Sequence, residues 1–535
     1  AVLDDGGASP ALVDAVLASA RAHPSAGSPG ALWTLVAPPP ARDASREEAP
    51  PPPRPVAAST WAYVAICALA LLVGLGLAVR RRRAPSTGAA GIDDDAHLTP
   101  LLVALGVLSA ASVALFWATF RFALDDYTYL MTAAHDPWRF DEELRVVGVR
   151  LPFAAGHRLG PFAFAAANTL ALVGLLGGVF GLARRLGLTR REAGLAALLV
   201  GVQPGVIELA RYAAGLQQLL VLAFVLGALA AFGDAFEARG RRRIGLALVG
   251  AGAAGLAVLT KWLSAVLLVP AVLVWTGRTA RDGRGWAARV AVALGLAAWM
   301  GAPVVLAGLG PSDRAGTARL AERALALGEG LGALALRLAV VVGGLLLMRR
   351  GRTSGRLRLP DRRTVWVLGA SALLFAVPFL FNERYYKHYY ALFPALWLAV
   401  LGARLVSAAW PARRGAVGWL AAALAAGVLV PFGAIEEATT PNARNEVMAW
   451  TRQAARALAD APPARSIRLE ARCPSPEATA ASAARLEAFQ RASERGDGIR
   501  WAAGLDPGVR VDPPGDAELT LRYCAGREPP FRVAR

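Results

Sequence analysis

Two carboxylates stand side by side in Phe120-Arg121-Phe122-Ala123-Leu124-Asp125-Asp126-Tyr127-Thr128-Tyr129, directly after an apolar run covering 98–118. A charge at the mouth of a membrane-crossing helix costs free energy, and acids kept there tend to serve a function. Asp125 and Asp126 are neighbours, so on a helix their side chains diverge by about 100° and take different jobs. One carboxylate can act as a general base towards an incoming hydroxyl. The other can orient its neighbour, contact the acceptor or hold a cation. A plain interfacial acid is the alternative for both.

Further polar groups recur at span ends. Thr260-Lys261-Trp262 joins two short apolar runs, and Asn382-Glu383-Arg384-Tyr385-Tyr386-Lys387-His388-Tyr389-Tyr390 follows a late one. Gly156-His157-Arg158 closes the loop opened by the acid pair, and Glu208 and Arg211 are three residues apart, on one face of a helix. Lys261, Arg384, Lys387 and Arg211 are cations suited to an anion such as a phosphate. Tyr127, His157, Arg158, Tyr385, Tyr386 and His388 are candidate substrate-lining groups. The alternative for the cations is lipid-headgroup contact, a common fate of Lys and Arg at span ends. Asp93-Asp94-Asp95 lies in a Gly/Ala/Ser stretch and reads as a solvated loop. No metal site is assigned; a divalent cation near the acid pair is compatible with the residues.

The elements that must position these groups are apolar helices. Of 535 residues, 55% are hydrophobic and only 18% charged, with mean hydropathy +0.42. Repeated apolar runs reach the roughly 20 residues needed to cross a bilayer, which predicts an α-helical polytopic membrane protein. About twelve spans are expected: 61–79, 98–118, 162–183, 193–210, 216–232, 244–259, 263–275, 286–309, 331–348, 365–381, 391–406 and 417–431. The formal charge of +19 resides in Arg clusters between runs, such as Arg80–Arg83 and Arg241–Arg243. That pattern follows the positive-inside rule, so no nucleic-acid partner is expected. It puts the acid pair, Lys261 and the Arg384–Lys387 turn on the extracytoplasmic face, with both termini. Trp138, Phe140 and the 145–150 region read as an interfacial amphipathic segment, and the 311–330 loop as a surface helix.

The chain divides at sequence level into a 1–59 extracytoplasmic region ending in a Pro-rich linker, an extra helix and cytoplasmic loop over 60–97, a membrane domain over 98–433, and a small α/β domain over 434–535. The first residue is Ala, consistent with a cleaved signal peptide or with an arbitrary start. In the tail, 466–472 and 517–523 alternate as strands, each followed by a cysteine, Cys473 and Cys524. Two thiols at the ends of paired strands in an oxidising compartment point to a disulfide, free thiols being the alternative.

Asp125-Asp126, the stretch Gly255-Leu256-Ala257-Val258-Leu259-Thr260-Lys261, and Arg384-Tyr385-Tyr386-Lys387 with Pro394 downstream occur in an order that resembles the family 39-like membrane glycosyltransferases of the GT-C fold. That group includes protein O-mannosyltransferases and the transferases that place aminoarabinose on lipid A. The resemblance covers roughly 98–433; the family often has Asp-Glu where this chain has Asp-Asp. It implies transfer of a sugar from a polyprenyl-phosphate donor to a lipid, glycan or protein acceptor, with inversion, in a bacterial inner (plasma) membrane. Asp125 matches the family's catalytic base, and no cofactor is implied with certainty. The alternatives are a transporter or flippase of envelope lipids or glycans, and a non-enzymatic envelope scaffold. A transporter would want ionisable residues at mid-membrane and often repeated halves; few charges lie away from span ends and no internal repeat is visible.

Overall fold

The computed structural model describes residues 54–55, 58–79, 98–120, 126, 129–130, 133, 139–140, 145–156, 159, 161–265, 268–276, 283–306, 320–349, 362–380, 388–410, 416–431, 443–459, 461–492, 497–503, 505, 509–512, 517–525, 527 and 530–534. It forms two compact units, one over Pro55–Ala443 and one holding Arg444–Arg535 together with Ala1–Arg54. The 1–53 region and the triple Asp lie outside the described residues.

The larger unit is a helical membrane domain. Its helices are α1 (Ala58–Val79), α2 (Thr99–Thr119), α3 (Leu151–Gly156), α4 (Pro161–Arg185), α5 (Arg190–Gly201), α6 (Pro204–Leu209), α7 (Leu216–Glu237), α8 (Gly240–Ala265), α9 (Leu268–Thr276), α10 (Gly283–Leu306), α11 (Leu320–Arg349), α12 (Arg362–Leu380), α13 (Leu392–Ala409) and α14 (Ala416–Leu429). Among the described residues seven helices are long and apolar enough to cross a membrane, carried by α1, α4, α7, α8, α10, α11 and α13. Large apolar side chains stay exposed on their outer flanks, among them Leu72, Leu170, Leu294 and Leu336. Such surfaces suit a hydrocarbon solvent and not water.

Twelve spans are not confirmed: among the described residues the runs expected at 98–118, 365–381 and 417–431 carry apolar helices shorter than a full span. The run expected to cross at 193–210 is two helices: Pro204 stands at the start of α6 after an extended Gln203 (φ −70°, ψ 143°). Proline has no N–H to continue α5, so the helix ends there. The break expected at Lys261 is present: its extended backbone (φ −164°, ψ 93°) interrupts α8 at the residue where the apolar pattern predicts a turn. Beyond it α9 is described over 9 residues.

α7 and α8 form an antiparallel pair. Gly240, at φ +58°, makes the turn between them in the left-handed region that glycine adopts freely. α1, expected to be an addition, is built into the bundle along α8. A Cβ at Gly74 would stand 2.6 Å from Gly245 O, and one at Gly252 2.7 Å from Cys67 O. Close backbone approach between small residues is how helices gain packing energy in lipid. Tyr63 OH donates to Trp299 O at 2.9 Å, tying α1 to α10 as well. α13 is buried along most of its length, with Trp397 edge-on to Phe375 of α12 at 5.1 Å. Away from the acid pair, Arg404 of α13 meets the buried Glu192 of α5 at 2.6 Å, while Arg185 and Asp234 pair across the ends of α4 and α7.

The smaller unit holds α15 (Ala443–Ala459), β1 (Ser466–Ala471), α16 (Pro476–Ala492), α17 (Asp497–Ala502), β2 (Arg510–Val511), β3 (Leu519–Tyr523) and β4 (Phe531–Ala534). The sheet order is β2-β1-β3-β4; β1 is parallel to β2 and β3, and β4 is antiparallel to β3. One face buries Ile467, Leu469, Leu521, Tyr523 and Phe531. Trp450 of α15 and Phe489 of α16 pack there, 5.5 Å from Phe531 and 6.5 Å from Tyr523 respectively. Cys473 and Cys524 are joined, with Cα atoms 5.3 Å apart, and Cys67 is free and buried in α1. Parallel register sets Ala471 beside Tyr523, so the two cysteines just beyond those strand ends come together.

Candidate functional site

Asp126 is fully buried. Its Oδ1 accepts from Ala214 N–H at 2.6 Å and its Oδ2 from Ala213 N–H at 3.1 Å. Those amides belong to a 3-10 turn, Ala213–Gly215, that leads directly into α7. The first N–H groups of a helix have no intrahelical acceptor and carry partial positive charge. The carboxylate therefore pins the loop after α2 to the start of α7. Arg211 and Tyr212 immediately precede the turn; Arg211 is buried, and Tyr212 O accepts from Asn168 Nδ2 of α4 at 2.9 Å. Asp125, expected as the base, lies outside the described residues, as do Tyr127, His157, Arg158, Arg384, Tyr385, Tyr386 and Lys387.

Where it is described, the segment expected to be interfacial is packed into the helical bundle and is not an exposed amphipathic helix. Val146–Arg150 is one π-helical turn, with Val146, Gly148, Val149 and Arg150 buried. A Cβ at Gly148 would sit 2.6 Å from Thr260 O and 3.0 Å from Gln217 Cβ, so the turn is wedged between α7 and the break in α8. Apolar residues at four of its positions explain the correction: the arginines mark its ends, and the valines between them want a core. Tyr129 OH accepts from Arg145 Nη1 at 2.9 Å. Its ring stands edge-on to Phe153 at 5.3 Å, which in turn packs on Phe164 of α4.

Lys261 completes this end of the bundle. Its Nζ lies 5.4 Å from the centroid of the Tyr390 ring, a cation–π distance. Tyr390 is buried and stacks on Phe379 of α12 at 4.5 Å. It sits in the 3-10 turn His388–Ala391, which comes directly after the Arg384–Lys387 motif. His388 opens that turn; its side chain is not among those described. Three segments far apart in sequence, at Asp126, Lys261 and Tyr390, are thus linked through the Ala213–Gly215 turn, Gly148 and Thr260. No protein-family model matches the chain, and neither curated proteins nor solved structures match it. The family resemblance therefore stands on its motifs alone.

Several groups here escape a reading of span ends. Gln217 and Gln218 are buried in the first turn of α7, and among the described residues neither Gln218 amide atom has a hydrogen-bond partner. A Gln-Gln pair inside an apolar run was the available signal. Arg323 was expected on a surface helix and is instead 2% exposed. It belongs to α11, a single helix of 30 residues, and shares a stripe with buried Leu327, Leu334 and Leu338. Its spacing from Leu327 and Leu334, four and then seven residues, was legible as that stripe. The same helix lies against the 3-10 turn, where a Cβ on Gly330 would be 2.7 Å from Ala391 Cβ. Lys261, Arg150, Arg211 and Arg323 supply positive charge at this end in apolar surroundings, where electrostatic interactions are strong. Among the described residues no cluster of His, Cys, Asp and Glu is arranged to hold a metal ion.

Proposed function

We propose that the protein is a membrane glycosyltransferase that moves a sugar from a polyprenyl-phosphate carrier to an acceptor hydroxyl on the extracytoplasmic side, with inversion. The observation that carries the reading is the contact of Lys261 with Tyr390. It joins the second motif segment to the residues just after the third, at the end of the bundle where Asp126 anchors the first.

In this reading Asp125 takes the proton of the acceptor hydroxyl as its oxygen bonds to the anomeric carbon. The bond from that carbon to the carrier phosphate breaks, and the polyprenyl phosphate leaves as an anion. Lys261, Arg384 and Lys387 stabilise the charge that gathers on it, with Arg211 behind them. Asp126 is a positioning residue: it holds the acid loop on the α7 turn. Tyr127, His157, Arg158, Tyr385, Tyr386 and His388 line the sugar and acceptor.

The test is transfer by purified protein from a polyprenyl-phosphate sugar, with donor affinity measured in parallel. Asp125→Asn should retain donor affinity and lose turnover by about 10²–10⁴. Arg384→Lys should weaken donor binding because paired hydrogen bonds to phosphate are lost although charge is kept. Arg362, exposed at the far end of α12, is the control. If Arg384→Lys, Lys387→Gln, Lys261→Gln and the Arg362 control all behave as the parent, or Asp125→Asn turns over normally, the reading fails.

A further inference from the structure

Among the described residues, the tail sheet has one face covered by helices and one that is not. Alternation along the strands sends Ile467, Leu469, Leu521, Tyr523 and Phe531 to the covered face. The residues between them point the other way. Register puts Ser466 opposite Arg510, Arg468 opposite Thr520, Glu470 opposite Arg522, and Arg522 opposite Arg532. Each of the four strands therefore contributes one arginine to the uncovered face: Arg510, Arg468, Arg522 and Arg532. Arg510 and Arg532 are exposed; Arg522 is 40% exposed and meets Glu470 at 3.2 Å.

Two features of this face favour an anionic partner. Arg522 and Arg532 are direct cross-strand partners, and like charges placed so destabilise a sheet. One carboxylate, Glu470, faces that pair. The strands are about 4.8 Å apart and alternate residues about 6.8 Å along a strand, so the four arginines leave one face of the sheet at steps of roughly 5–8 Å. The chain also fixes which phosphates are near. Residues 430–442 separate α14 from α15, and such a segment reaches no further than about 45 Å at 3.3–3.6 Å per residue. The tail cannot leave the neighbourhood of the bilayer that its own chain crosses.

We propose that the open face of the tail sheet is a docking surface for the phosphate headgroups of anionic membrane lipids. Guanidinium forks match phosphate oxygens in pairs, and arginines spread over four strands suit a surface of many phosphates better than a single small anion. Each arginine contributes about a fivefold preference for an anionic over a neutral surface at low salt. The inference is independent of the sugar-transfer reading.

The experiment uses the full chain in nanodiscs of phosphatidylcholine alone or of phosphatidylcholine with phosphatidylglycerol. Arginine modification by phenylglyoxal is read peptide by peptide by mass spectrometry. Arg510, Arg522 and Arg532 should react several-fold more slowly in the anionic discs. Arg456 and Arg485, exposed on the helices of the opposite face, should react equally in both. At 1 M salt, where the screening length is about 3 Å, the protection should vanish. The R522Q/R532Q double variant should lose protection at Arg510 while keeping the Cys473–Cys524 linkage as its folding control. Equal rates in the two lipids overturn the proposal, as does equal slowing of Arg456 and Arg485. Inorganic phosphate added to neutral discs separates a lipid surface from a free anion: protection by it alone overturns the lipid assignment.

Discussion

Replacing Asp126 tests the anchoring role most directly. Its carboxylate is fully buried and accepts from two backbone N–H groups, at 2.6 and 3.1 Å, across 87 or 88 residues of chain. Hydrogen bonds to a charged group contribute roughly 1.5–3 kcal/mol each, and an orphaned buried N–H costs about 1–3 kcal/mol. Asp126→Asn keeps one acceptor oxygen, converts one bond to a neutral one and sets an amide N–H₂ against the other N–H. The cost is about 2–4 kcal/mol, a factor of roughly 30 to 1,000 in the unfolding equilibrium. Asp126→Ala leaves both amides without this acceptor and should cost more. The assay is denaturant unfolding in bicelles followed by tryptophan fluorescence, with donor affinity and turnover beside it. Both variants should lose activity in proportion to lost structure, whereas Asp125→Asn should lose activity with stability nearly unchanged. An Asp126→Asn protein within about 0.5 kcal/mol of the parent would refute the anchor argument, because no buried acceptor would then have been lost.

Three further outcomes are expected. Gly148→Ala drives a Cβ to within 2.6 Å of Thr260 O; it should cost about 1–3 kcal/mol and lower turnover by moving the turn off the α8 break, read by the same unfolding and transfer assays. Arg404→Met leaves the buried Glu192 carboxylate without its ion pair at 2.6 Å; it should destabilise by about 3–5 kcal/mol, and Arg404→Met with Glu192→Gln should recover part of that in a double-mutant cycle. Non-reducing peptide mapping should recover Cys473 and Cys524 as one linked pair, and Cys473→Ser should lower the stability of the tail unit by about 2–4 kcal/mol.

Hydropathy and charge alone determined that this chain is a bundle of apolar helices and that the tail is a separate mixed α/β unit. Burial in lipid demands long apolar helices with internally satisfied backbones, and that demand is written residue by residue. Lys261 was legible for the same reason: a charge inside an apolar run of that length forces a break. Pro204 was equally visible in the sequence, yet the run around it is apolar on both sides, and hydropathy cannot tell a crossing helix from two short buried ones. The alternation of the tail strands and the cysteine after each made the disulfide readable before any coordinates.

Tertiary structure decided what each polar group does. Asp125 and Asp126 are indistinguishable by type and spacing; the role of Asp126 comes from amides 87 and 88 residues away, a separation no local pattern encodes. Arg323 looked like a surface cation because the loop around it was read as lying outside the bundle, while the fold places it in α11 with 2% exposure. The Arg face of the tail sheet exists only through register, since four arginines spread over residues 468–532 become one surface when the strands pair. Local propensity and hydropathy act within a few residues, whereas desolvation, capping and charge pairing depend on what the fold brings from far along the chain.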